Sequence, residues 1–179
     1  MLKIIKNDHI NISRLLKLLT KHISSLEMDQ HIDYRVTKSI INYLRTYSDK
    51  YHHPLEDFIY DYYSAHHEQS KEDNLRLHEE HKHLKKVTVE LDELLNMVLL
   101  DAIVPKNECI EKLQNFVDLQ VNHMNYEDQR LLPAIEKSFT PDDWLNIEQQ
   151  WKHNAHHDPL FGSDIADQYK KLAAAIEQE

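Results

Sequence analysis

The sequence predicts an all-α protein: an up-down-up-down four-helix bundle with a C-terminal helical extension. Three observations lead there. The 179 residues include one glycine and five prolines, too few turn residues for a β protein. Apolar residues recur at three- and four-residue steps along four long stretches, the period of a helix with one buried face. The connections between the stretches are short, which sets successive helices antiparallel. A chain of this length buries roughly 70% of the surface its unfolded form exposes, enough for one core.

The first segment covers about residues 3–28, with a stripe of Ile5, His9, Ile12, Leu16, Leu19, Ile23 and Leu26. His9 takes a place where an aliphatic residue is expected. The second runs from about 33 to 65, with Ile41, Leu44, Ser48, His52, Leu55, Glu56, Ile59 and Tyr63 on one face. Pro54 lies inside it and removes a backbone donor, so a kink is expected. The stripe continues in phase on both sides, and the irregularity falls where it can aim neighbouring side chains. Tyr43, Tyr47 and Tyr51 repeat at four-residue spacing in the same segment and read as a packed ladder.

The third segment spans about 71–101, with Leu77, His81, Leu84, Thr88, Leu91, Leu95 and Val98 in register. After Pro105 the fourth covers about 106–137, on a face of Cys109, Leu113, Phe116, Gln120, His123, Glu127 and Leu131. Thr140-Pro141-Asp142-Asp143 then reads as a helix start, with a Thr cap, Pro in the first turn and acids beside the helix N-terminus. A short helix near 141–153, a loop through Asp158-Pro159-Leu160-Phe161-Gly162 and a last helix over about 163–177 complete the chain. The bundle is expected over 1–138 and the extension over 139–179, held to it by Trp144, Trp151, Leu160 and Phe161.

The formal charge of -10 arises from 21 Lys plus Arg against 31 Asp plus Glu, with no basic stripe, which argues against a nucleic-acid partner. Cys109 is the only cysteine, so no intrachain disulfide forms, as suits a reducing cytosol. Met1 to Asp8 lacks the apolar core of a signal peptide. No run approaches the ~20 apolar residues of a membrane span. A cytoplasmic protein with no membrane partner is expected, and the acidic bundle with exposed tail aromatics allows a homodimer.

Fourteen histidines are a large excess for this length. His22, His31, His66, His67, His153, His156 and His157 lie off the apolar stripes or in loops and read as surface residues. His9, His52, His81 and His123 do not: each is in phase with the stripe of its own long helix. Glu56 and Glu127 are in phase too, four residues after His52 and His123, so each His/Glu pair points off one helix face. Burying six such groups without a partner costs several kcal/mol. A metal cluster supplies the partner. The two glutamates, from opposite helices, can each bridge two metal ions, and the histidines then cap the pair, two per metal. Imidazole and carboxylate without an obligatory thiolate favour iron. Coordination positions remain for a small molecule such as O₂, NO or peroxide. His53 competes with His52, which is preferred for its stripe and its spacing from Glu56. Asp128 competes with Glu127, which is preferred because a four-residue step keeps it nearer the His123 face.

These residues resemble the hemerythrin-like (HHE cation-binding) family. The matching stretches are Asp8-His9, His52-His53-Pro54-Leu55-Glu56-Asp57, Glu80-His81, and His123-x-x-x-Glu127-Asp128-x-x-Leu131-Leu132-Pro133, covering about residues 3–135. Asp158-Pro159-Leu160-Phe161-Gly162 is similar to the tail of bacterial members. The resemblance implies a non-haem di-iron cofactor with bridging carboxylates, held by His9, His52, Glu56, His81, His123 and Glu127. Oxygen-carrying members place two histidines four apart on the third helix and end with His-x-x-x-x-Asp on the fourth. Here His78, His81 and His83 lack that spacing, so the third helix does not supply the fifth histidine of the oxygen carriers. The expected function is binding or sensing of a small ligand (O₂, NO) or of iron. The alternative is a di-iron enzyme for peroxide reduction, ferrous oxidation or repair of iron centres.

Overall fold

Helix α1 (Leu2–Glu27) buries the whole stripe from Ile5 to Leu26. In the computed structural model, which describes residues 1–67, 70–151 and 158–178, the second rod has three parts in line. These are α2 (Tyr34–Tyr43), a π-helical stretch Leu44–His52, and α3 (His53–His66). Helix α4 (Lys71–Leu99) is the third rod. The fourth comprises α5 (Lys106–Tyr126), a second π-helical stretch Glu127–Leu131, and α6 (Leu132–Ser138). No strand occurs among the described residues.

The core shows the up-down-up-down course of the chain. One buried cluster contains Ile12 to Leu26 of α1, Ile40 to Tyr47 of the second rod, Leu91 to Leu95 of α4 and Cys109 to Val117 of α5. The other contains Leu2 and Ile5, Leu55 to Tyr60, Leu77, and Leu131 to Ile135. Each rod therefore crosses from one cluster to the other, in alternating directions. Between the clusters, at one level, lie the buried polar groups His9, His52, His53, Glu56, His81, His123 and Glu127.

With one glycine in the chain, helix ends use other residues. Asp29 (φ 56°) and Asp101 (φ 59°) adopt the left-handed conformation just beyond α1 and α4. In each case the following amide closes a wide turn, Gln30 to the Ser25 carbonyl and Ala102 to that of Met97. Aspartate tolerates this backbone better than most residues.

The extension follows Thr140, whose hydroxyl accepts the Asp143 amide while the Asp143 carboxylate accepts the Thr140 amide, a reciprocal cap for α7 (Pro141–Gln150). Ile147 enters the second core cluster, with Trp144 and Trp151 packed against it, while Leu160 enters the first with Phe161 against it. Residues 152 and 153, expected in this helix, and His153, His156 and His157 lie outside the described residues. The last helix is shorter than expected. Ala166 is extended, with its amide on the Pro159 carbonyl, so residues 163–166 form no helix. A 3₁₀ turn at Asp167–Tyr169 leads into α8 (Lys170–Glu177), which packs on α1 and α2 through Leu172 and Ile176.

Candidate metal centre

Two prolines shape the polar level. Pro54 has no N–H for the Lys50 carbonyl, and its ring would collide with that carbonyl in an α-helix. The chain widens instead: the His53 amide, one residue earlier, reaches the Ser48 carbonyl five residues back. The fourth rod repeats the device. Before Pro133, the Leu132 amide reaches the Glu127 carbonyl, again five back. The expected kink at Pro54 is thus a π-helical widening, with a counterpart at Pro133 for which no irregularity was expected. The wider turn has a direct result: His52 and His53, adjacent in sequence, are both buried, at 1% and 7% exposure.

The groups meet in two sets. The ligand atoms of His9, His52 and Glu56 lie within 4.8 Å of one another, as do those of His53, Glu56, His81 and His123. Glu56 belongs to both. Its Oε1 lies 3.1 Å from His9 Nε2 and 3.2 Å from His52 Nε2, and its Oε2 lies 3.5 Å from His81 Nε2. Glu127 spans the same gap, with Oε2 3.3 Å from His9 Nε2 and 3.5 Å from His123 Nε2. Asp128 points the other way, as the four-residue step implied: it is half exposed, and its Oδ1 meets the outer nitrogen of His9. The six residues expected from the sequence are therefore close neighbours, and His53 joins them as a fifth imidazole. The signal for it was the His-His-Pro run, since a proline beside two histidines is where a helix can present both to its interior.

His9, His52, His81 and His123 share one orientation, with Nε2 inward and Nδ1 toward an acid. His9 Nδ1 is 2.8 Å from Asp128, His81 Nδ1 is 2.8 Å from Asp57, and His123 Nδ1 is 3.0 Å from Glu80. His52 Nδ1 is 3.3 Å from Asp8, and the loosest contact sets His53 Nδ1 3.6 Å from Asp49. A carboxylate only accepts, so each bonded Nδ1 carries the proton and a neutral ring turns its Nε2 lone pair inward. This is the arrangement by which outer carboxylates orient metal-binding histidines. Tyr60 donates to Glu127 Oε1 at 3.2 Å. His78 bonds to Asp57 and Asp61, off the inner set.

The electrostatics call for a cation. Glu56 Oε2 and Glu127 Oε2 are fully buried yet accept no hydrogen bond. An orphaned buried acceptor costs about 1–3 kcal/mol, more when charged. The Nε2 atoms of His81 and His123 face each other at 3.1 Å, where two lone pairs repel unless a proton or a metal ion lies between them. Protons alone perform part of this role. Burial opposes a charge on His9, but its contacts with Asp128, Glu127 and Glu56 outweigh burial and raise its pKa to about 12. His81 follows the same pattern, raised to about 12 against burial by Asp57, Glu127 and Glu56. Burial dominates at His53 and lowers it to about 4. Glu127 falls to about 2, because His123, His81 and His9 overcome burial and the nearby Glu56. Glu56 is likewise driven well below the ordinary carboxylate range by His52, His81 and His9, against its burial. A multivalent cation would neutralise the same acids and engage the orphaned oxygens. Imidazole and carboxylate donors suit one, and Cys109 lies ~20 Å from His123 along the helix, too far to add a thiolate.

Residues 1–135, which carry all of these groups, match the family model described as the hemerythrin HHE cation binding domain. No curated protein and no solved structure matches the chain. The matched span covers well over half of the 179 residues and includes the first three rods, most of the fourth and the buried His/Glu level between them. The chain belongs to the hemerythrin HHE cation-binding family.

Proposed function

We propose that this is a non-haem di-iron protein that binds or senses a small ligand such as O₂ or NO. The observation that carries the reading is Glu56, shared by two sets of inward-facing ligand atoms, with buried oxygens left unsatisfied on it and on Glu127. His9 and His52 would hold one iron, His53, His81 and His123 the other, with Glu56 and Glu127 between them. Such a pair would supply redox chemistry and a place for a small ligand to bind.

The chain's own residues set the conditions. Asp8, Asp57, Glu80 and Asp128 hold the imidazole rings with Nε2 inward, so the site needs little reorganisation when a metal ion enters. Tyr60 fixes Glu127 through Oε1. The apolar clusters on both sides exclude water and strengthen every charge interaction at that level. All seven inner residues are at most 7% exposed, so a molecule that reaches them is a few atoms in size. That size limit favours a diatomic ligand or peroxide over a bulky substrate.

The test is optical. Iron-loaded, reduced protein is expected to change its absorption bands on exposure to O₂ or NO. A fully loaded centre inert to both gases contradicts ligand binding. Steady-state turnover with peroxide or Fe(II), lost in Glu56→Ala and Glu127→Ala, would establish the enzymatic alternative.

A further inference from the structure

The tyrosines of the second rod are more than a packed ladder. The rings of Tyr43 and Tyr47 lie 5.0 Å apart and only 10° from parallel, both 1% exposed. Each hydroxyl donates to its own carboxylate: Tyr43 to Asp158 Oδ2 at 2.9 Å, Tyr47 to Asp8 Oδ1 at 3.2 Å. The other oxygen of Asp8 contacts His52 Nδ1 at 3.3 Å. A continuous line therefore runs from the candidate centre through His52, Asp8 and Tyr47 to Tyr43. It ends at Asp158, whose Oδ1 is held by the Leu160 and Phe161 amides and which is only partly buried. Asp158 borders a groove of about 550 Å³ between α1 and the C-terminal extension, together with Lys3, Asn7, Asp8, Tyr47 and Ser163.

We infer that Tyr43 and Tyr47 are an exit path for oxidising equivalents, carrying an electron hole away from the metal centre to Tyr43. The inference rests on the proposed di-iron reading. Its chemistry follows from what a buried phenol can do. Burial, reinforced by the neighbouring carboxylates, keeps both phenols protonated far above the ordinary range, so each gives up an electron as the neutral phenol. A phenol oxidised by one electron is a strong acid and must lose its proton at once. Tyr43 has an acceptor at hydrogen-bond distance that opens toward solvent. Tyr60 has none of this: its hydroxyl donates to Glu127, a carboxylate that the centre itself engages.

Hydrogen peroxide is the oxidant, and the path acts when it meets a centre with a single ferrous ion. Breaking the O–O bond to give two waters takes two electrons and two protons. Iron held by the residues named above would supply one of these electrons, going from ferrous to ferric. Tyr43 gives the other through Tyr47, while its phenolic proton moves to Asp158, leaving a neutral phenoxyl radical and a protonated acid. The two protons for water come from solvent. The radical then sits one hydrogen bond from Asp158, which borders the groove, instead of among the ligands.

The test uses iron-loaded protein brought to the mixed-valent state, mixed with hydrogen peroxide and frozen for electron paramagnetic resonance. Ring-deuterated tyrosine identifies a phenoxyl signal. The expected result is loss of the mixed-valent signal and growth of a phenoxyl signal that Tyr43→Phe abolishes or moves to another ring. Tyr47→Phe slows its appearance, and iron content is unchanged in Tyr43→Phe and Tyr47→Phe. A phenoxyl signal unaltered in Tyr43→Phe, or lost only in Tyr60→Phe, overturns the inference. So does a centre that reacts with peroxide without forming any phenoxyl, or one that keeps its mixed-valent signal, while iron binding stands. A chain that takes up no iron overturns the di-iron reading and this inference with it.

Discussion

The two sides of the candidate centre are built differently. The first side joins His9 of α1 to His52, and leads outward through Asp8 to stacked tyrosines. The second joins His53, His81 and His123, with the rings of His53 and His81 stacked at 4.3 Å. Its outer carboxylates are Asp57, Glu80 and the looser Asp49. One helix supplies both sides, because the π-helical stretch before Pro54 lets two consecutive histidines enter the core and part company there. A single widened turn thus changes which imidazoles a bundle presents to its interior without any change in its topology.

The largest expected effect comes from removing what the sides share. Glu56→Ala takes an oxygen from both sets at once, so bound iron should fall to near zero while circular dichroism stays helical. Retention of full iron content would break the comparison at its root. Next come single-side losses. His123→Ala should empty the second side and His9→Ala the first, each leaving about one iron per chain, since each side keeps other protein donors. Loss of both irons from either variant would mean that the sides are not separable. His53→Ala sharpens the comparison further: it should weaken only the second side, and an equal loss on both would assign His53 to packing.

The outer carboxylates are expected to matter less. Asp57→Asn on the second side and Asp128→Asn on the first should each lower iron affinity roughly 10–100-fold, read by competition with a chelator. Unchanged affinity would leave those acids a purely structural part.

The smallest effects concern pH in the metal-free chain. The folded pKa values of His9 and His81 are raised to about 12, so the stability they add is present in full below the unfolded value of about 6.5 and is lost as pH rises toward 12. His53, lowered to about 4, has the opposite slope, with stability rising from pH 4 to about 6.5. The midpoint of chemical denaturation should therefore pass through a maximum near pH 6.5 and decline on the alkaline side. Iron uptake displaces the protons of His9 and His81, so loading in weak buffer should acidify the solution. An alkaline rise in stability, or loading without proton release, would contradict the assigned charges.

Much of this was legible in the sequence for a definite reason. A three- and four-residue stripe constrains which side chains share an interior, so His9, His81, His123 and both glutamates could be placed from spacing alone. The choice of Glu127 over Asp128 followed from the same geometry. Periodicity assumes a regular helix, however, and that assumption fails before Pro54. Ranking His52 above His53 was an α-helical argument, and the widened turn admits both. The acids behind the rings were not legible either, because Asp57, Glu80 and Asp128 lie one residue from an in-phase histidine or glutamate and look like ordinary solvated charges. The overlong last helix failed for the reverse reason: composition around Ser163–Ala166 permits a helix, but a backbone contact to Pro159 forms instead.

The measurement closest to the central claim is the iron content of the untagged chain after anaerobic loading and removal of free metal. Two sets of ligand atoms sharing Glu56 predict about two irons per chain, magnetically coupled through the carboxylates between them. A content near zero, or a single iron with no coupled partner, would contradict it.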